Sequence, residues 1–146
     1  MNFANTFFTF FLLALSQLVS TSPVLVTREA EVVWSPTITY PDGNDTVWQS
    51  GPTVYNMTWY TDDIPEDAQN NTGVIMLGYF DNDDNDSDEH LDWKRPLASG
   101  FALTDGIAYF TIEPSRNLTT RNSYVLCLLG DSGNISKELT IEAAQA

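Results

Sequence analysis

Apolar and polar residues alternate with a period of two in short runs between clusters of Gly, Pro, Asn and Asp, and no long stretch holds a helical period. This pattern predicts an all-β chain. From Thr53 to Tyr60 it puts Tyr55, Met57 and Trp59 on one face and Val54, Asn56 and Thr58 on the other. From Ile107 to Glu113 it turns Ala108, Phe110 and Ile112 inward, with Tyr109 and Thr111 outward. Val74 to Phe80 is apolar on both faces, as a central strand is. Further strands are predicted over Thr37 to Tyr40, before the turn Pro41-Asp42-Gly43-Asn44, and around Trp93 and Leu97 to Leu103, before Thr104-Asp105-Gly106. Tyr124 to Leu129 and Ser136 to Ile141 read as a closing hairpin around Gly130-Asp131-Ser132-Gly133-Asn134.

About seven strands at this spacing predict an immunoglobulin-like or fibronectin type III-like β-sandwich over residues 35–142. Ahead of it, residues 1–16 read as a signal peptide and 17–34 as an N-terminal extension; residues 143–146 form a short tail. Phe7 to Leu15 is apolar apart from Thr9, and Ala14-Leu15-Ser16 supplies the small residues a signal peptidase requires. The run falls short of the ~20 apolar residues of a transmembrane helix, so no membrane insertion is expected after cleavage. Arg28-Glu29-Ala30-Glu31 resembles the junctions trimmed during fungal secretion, and Glu138 to Ala146 shows no lipid-anchor signal, which predicts a released product.

Six Asn-Xaa-Ser/Thr sequons, at Asn44, Asn56, Asn70, Asn85, Asn117 and Asn134, exceed the roughly two that composition alone would give, and they agree with a secretory leader. Cys127 is the only cysteine, so no intrachain disulfide exists and the core must supply the stability. It lies in the apolar run Tyr124 to Leu129 and reads as a buried thiol. With 20 acidic against 6 basic residues the net charge is −14, which excludes nucleic acid and anionic lipid as partners.

A sequence of short motifs from Thr37 to Ile141 carries a family resemblance. They are Tyr40-Pro41-Asp42-Gly43, Trp48-Gln49-Ser50-Gly51, Met57-Thr58-Trp59, Gly73 to Leu77, Leu97-Ala98-Ser99-Gly100, Ile112-Glu113-Pro114, Tyr124-Val125-Leu126, Gly133 to Ser136 and Leu139-Thr140-Ile141. In this order they resemble the N-terminal domain of the Kre/Knh-type fungal cell-wall synthesis proteins, which are Ser/Thr-rich and often GPI-anchored. The resemblance implies a fibronectin-like sandwich, a role in β-1,6-glucan organisation, cell-wall polysaccharide or other wall proteins as partners, and no catalytic residues. Unlike in that family, no Ser/Thr-rich stalk is expected after the domain. Tyr124 stands where a tyrosine corner is expected.

Gly130-Asp131-Ser132-Gly133 matches the tetrapeptide around a trypsin-like nucleophile, and His90, Asp105 and Ser132 follow that family's chain order. Those enzymes need two barrels and a further Gly where Asn134 stands, so the segment reads as a turn with positive φ at glycine. The run Asp81 to Glu89 is dense in oxygen ligands, yet Asp86 occupies the place of the turn Gly and Asp92 that of the bidentate Glu in a helix-loop-helix Ca²⁺ site. It reads as a solvated acidic loop with a surface His90 beside it. No acid pair stands out for glycoside hydrolysis, and Glu113 faces water. No catalytic, cofactor-binding or metal-ligating residue is therefore assigned. Trp59 reads as core, whereas Trp48 and Trp93 are the candidates for stacking on a sugar ring.

Overall fold

The computed structural model describes residues 33–43, 45–81 and 88–145. The leader, the Arg28 to Glu31 junction, Asn44, Asn85 and most of the acidic run lie outside these residues. All described residues belong to one compact unit, Val32–Ala146.

Nine strands follow in order: β1 Ile38–Tyr40, β2 Val47–Gln49, β3 Gly51–Trp59, β4 Thr72–Tyr79, β5 Ala98–Ala102, β6 Ile107–Ile112, β7 Arg121–Leu129, β8 Gly133–Ile135 and β9 Leu139–Glu142. No α-helix occurs among the described residues, only single 3-10 turns at Glu66–Ala68, Leu103–Asp105 and Pro114–Arg116. The all-β expectation holds. One sheet has the order β1-β3-β6; the other runs β2-β9-β7-β4-β5, with β8 also on β7. Adjacent strands pair antiparallel except β2, which lies parallel to β9 with Val47 opposite Thr140 and Gln49 opposite Glu142.

The period-two faces become the two sides of the first sheet. Met57, Trp59, Ala108, Phe110 and Ile112 are buried, while Val54 and Tyr109 are exposed. Opposite them stand Ile75, Leu77, Leu126, Leu128, Leu139 and Ile141 of the second sheet, so one hydrophobic cluster draws on both sheets. Strand β7 is buried on both faces from Ser123 to Leu128, with β4 on one edge and β8 and β9 sharing the other. That double burial explains its unbroken apolar run. Trp59 Nε1 donates to the Leu103 carbonyl at 2.8 Å, giving the indole its partner inside the core. Tyr124 Oη donates to the Thr119 carbonyl at 2.7 Å.

Four expectations need correction. Strand β2 was not predicted: three residues alternating exposed, buried, exposed carry too short a pattern, and a parallel partner 93 positions away leaves no local signal. Trp93 lies in a turn rather than a strand. The closing hairpin is split, because the chain leaves β7 after Ile135 and rejoins its neighbourhood as β9 at Leu139. Residue 34 belongs with the domain and not with the extension, since Trp34 is part of the core cluster.

Candidate functional site

Three of the four tryptophans, Trp34, Trp48 and Trp59, are buried, and Trp93 is 63 % exposed. Trp48, the other candidate for stacking on a sugar ring, does not offer its face to a ligand. Its ring stacks on Tyr55 at 4.7 Å and meets Phe110 edge-on at 5.7 Å, because pairing with β9 turns residue 48 of β2 into the core. Of the four tryptophans only Trp93 has its surface free.

The geometry that displays Trp93 starts at the outer edge of β4. His90 N–H donates to the Tyr79 carbonyl, Asp92 N–H to Leu77 and Leu97 N–H to Ile75, at 2.9, 2.8 and 2.7 Å. Between the last two bonds the chain leaves the edge, so residues 93–96 project as a turn. Gly78 permits this approach, as a Cβ there would meet Leu91 Cδ2 at 2.6 Å.

Arg116, from the 3-10 turn after β6, fastens that projection. Its Nη1 donates to Asp92 Oδ2 at 3.2 Å and to the Arg95 carbonyl at 2.7 Å, and its Nη2 donates to the Pro96 carbonyl at 3.1 Å. Arg95 Nε reaches the same Asp92 oxygen at 3.0 Å. Burial pushes the Arg116 guanidinium below its usual pKa, and Asp92 opposes the shift. A side chain only 7 % exposed that holds three acceptors fixes the turn far better than a surface ion pair does. Trp93 is thus an exposed aromatic side chain on a turn whose backbone is held in place.

Next to this turn, Arg121 lies over the Tyr79 ring, 4.0 Å from its centroid, and His90 stacks on the same ring at 4.9 Å. Asp81 joins both, at 2.9 Å to Arg121 and 3.4 Å to His90 Nε2. The acidic segment is therefore tied at its start to the residues that follow it. Among the described residues no three His, Cys, Asp or Glu side chains gather in a way that would hold a metal.

The trypsin-like tetrapeptide has a different occupation. Asp131 Oδ2 accepts from Trp34 N–H at 2.8 Å, the Gly133 carbonyl accepts from Ser35 Oγ at 3.1 Å, and Asn134 Nδ2 donates to the Pro36 carbonyl at 2.7 Å. The turn clamps residues 34–36 to the domain. His90 bonds to Asp81 instead of meeting Ser132 or Asp105. Positive φ was expected at the turn glycines, but among glycines it occurs at Gly43, Gly100 and Gly106. Gly130 is instead a matter of space: a Cβ would strike Leu103 Cδ1 at 2.6 Å. We expect Asp131→Ala to lower stability by about 1 kcal/mol through the lost bond to Trp34, and Ser132→Ala to stay within about 0.5 kcal/mol, by urea unfolding. Labelling of Ser132 by a fluorophosphonate would contradict this role.

Of the sequon asparagines, Asn70 and Asn117 are exposed, Asn117 in the left-handed region at φ 51°. Asn56 is half-buried on the outer face of β3, and Asn134 spends its amide on Pro36 and on Ile135 N–H. Glu113 is exposed and accepts from Ser115. Cys127 is buried, and burial with nearby Glu89 pushes its thiol above the usual pKa, away from the reactive thiolate. A cleft of about 650 Å³ beside Gln49, Thr120 and Glu142 presents one carboxylate, already hydrogen-bonded to Gln49 at 2.9 Å. Sequence reasoning missed Arg116 and Asp131, whose partners come from loops distant in the chain. No family model, curated protein or solved structure matches this chain.

Proposed function

We propose that the chain is a secreted, N-glycosylated, non-enzymatic module that contacts fungal cell-wall polysaccharide through Trp93 and serves the organisation of β-1,6-glucan. The observation that carries the reading is the sorting of the tryptophans: three lie in the core, and the fourth stands on a turn that Arg116 and Asp92 hold in place. A large aromatic left in water on a fixed support is the usual feature of a contact surface, and flat sugar rings stack on such faces. The fold is read as an immunoglobulin- or fibronectin-type sandwich. Supporting this are the three-stranded and larger sheets around a shared core, the passage of the chain from β1 in one sheet to β2 in the other, and the Tyr124 bond to Thr119 in the manner of a tyrosine corner. The ordered motifs that resemble the Kre/Knh-type domain support the wall role, and the leader and sequon excess support secretion.

Cell fractionation combined with a β-1,6-glucan pull-down tests the proposal. Protein is expected in the wall fraction, released by salt or detergent, and Trp93→Ala is expected to weaken glucan binding about fivefold, since one stacked ring contributes about 1 kcal/mol. Stability should change by less than about 0.5 kcal/mol. A deletion strain with normal β-1,6-glucan, together with protein found only in the culture fluid, would remove the wall role.

A further inference from the structure

The outer face of the first sheet carries a short exposed stripe, Val54 and Tyr109 among the polar Asn56, Thr58 and Thr111, that no described element covers. Tyr109 is 64 % exposed and Val54 also lies open to water, both with side chains normal to the sheet. The register puts Asn56 directly opposite Tyr109, with Val54 opposite Thr111 and Thr58 opposite Ile107. Trp59 N–H donates to the Gly106 carbonyl at 3.0 Å. Bonded and non-bonded pairs alternate along an antiparallel ladder, so Trp59/Gly106, Met57/Ala108 and Tyr55/Phe110 are the bonded pairs and Asn56/Tyr109 is a non-bonded one. That is the geometry in which opposed side chains come closest, with Cβ atoms about 4.5–5.5 Å apart. Asn56 opens the sequon Asn56-Met57-Thr58, and it is a half-buried polar residue between exposed apolar neighbours.

We propose that this stripe is the seat of an N-glycan on Asn56, whose first N-acetylglucosamine lies on the Tyr109 ring. The inference rests on the reading of the chain as a secreted glycoprotein. In the transfer, Asn56 Nδ2 bonds to the anomeric carbon of a lipid-linked oligosaccharide. The bond from that carbon to the pyrophosphate breaks, the pyrophosphate leaves with its electron pair, and a base takes one amide proton. Met57 is fully buried, so the reaction precedes closure of the sheet. One face of a pyranose presents only C–H groups, and the aromatic ring directly opposite accepts it while keeping its hydroxyl in water. The glycan thereby removes the exposed stripe from self-association.

The test uses the full chain secreted from a glycosylating host. Mass analysis of the Asn56 peptide reads occupancy. Proton NMR then reads the N-acetyl methyl of the Asn56 sugar, expected upfield of its free position and restored by Tyr109→Ala. Asn56→Gln should lower Tm by roughly 3–5 °C in the native background and by about 1 °C or less beside Tyr109→Ala, because the stabilisation belongs to the pair. An occupied Asn56 with an unshifted methyl and additive Tm changes overturns the proposal. So does a bare Asn56 with other sequons filled, which leaves the glycoprotein reading intact; six bare sequons would end both. Self-association of the glycosylated protein that Tyr109→Ala abolishes would assign the face to a second copy and overturn it as well.

Discussion

Trp48→Ala is expected to destabilise the domain by about 3–5 kcal/mol, the range for emptying a large aromatic site in a packed core. Trp48 is only 3 % exposed and contacts Tyr40, Tyr55 and Phe110, so its removal opens a cavity between the sheets. The loss also reaches β2. Tyr55 Oη accepts from Gln49 N–H at 2.8 Å and donates to the Gln49 carbonyl at 3.1 Å, and the indole stacked on Tyr55 keeps that hydroxyl in place. Chemical denaturation gives the stability change, and glucan binding by the fraction still folded should equal that of the unchanged protein. The opposite result, full stability with binding lost, would return Trp48 to the surface and contradict its place in the core.

Ser136→Ala is expected to cost about 1–3 kcal/mol despite removing a single oxygen. Between β8 and β9 the chain leaves the edge of β7, and Leu126 N–H would have no strand to bond. Ser136 Oγ accepts that N–H at 2.9 Å and donates to the Lys137 carbonyl at 2.9 Å, while Ser136 N–H donates to the Leu126 carbonyl at 2.8 Å. Alanine keeps the last bond and leaves a buried amide unsatisfied, the costly half of the exchange. The measurement belongs on protein made without glycosylation, because Ser136 also completes the Asn134 sequon. A loss below about 0.5 kcal/mol would mean that the amide finds another acceptor.

These two positions mark where sequence reasoning reaches its limit. The faces of β3 and β6 were legible because each strand has one wet side, so period two records burial residue by residue: Met57 and Phe110 inward, Asn56 and Tyr109 outward. Trp48 was misread because a three-residue strand has no period of its own, and its orientation is set by Ile141, opposite it on β9. Trp93, a candidate for stacking, is exposed, but its support was hidden, since Arg116 reaches Asp92 from 24 positions away. The turn glycines were assigned to backbone conformation, while Gly130 answers to the volume of Leu103, which no local pattern records.

The parallel pair of β2 and β9 carries a consequence for the order of synthesis. Its two strands lie at opposite ends of the domain, with Val47 against Thr140, and Ile141 belongs to the same core cluster as Trp48. A chain that leaves the ribosome N-terminus first therefore exposes Trp48 for the whole time that the intervening strands are made, and only the final strand can enclose it. Closure waits until Leu139–Glu142 has been made. Until then β2, which pairs only with β9 among the described strands, has no strand to bond.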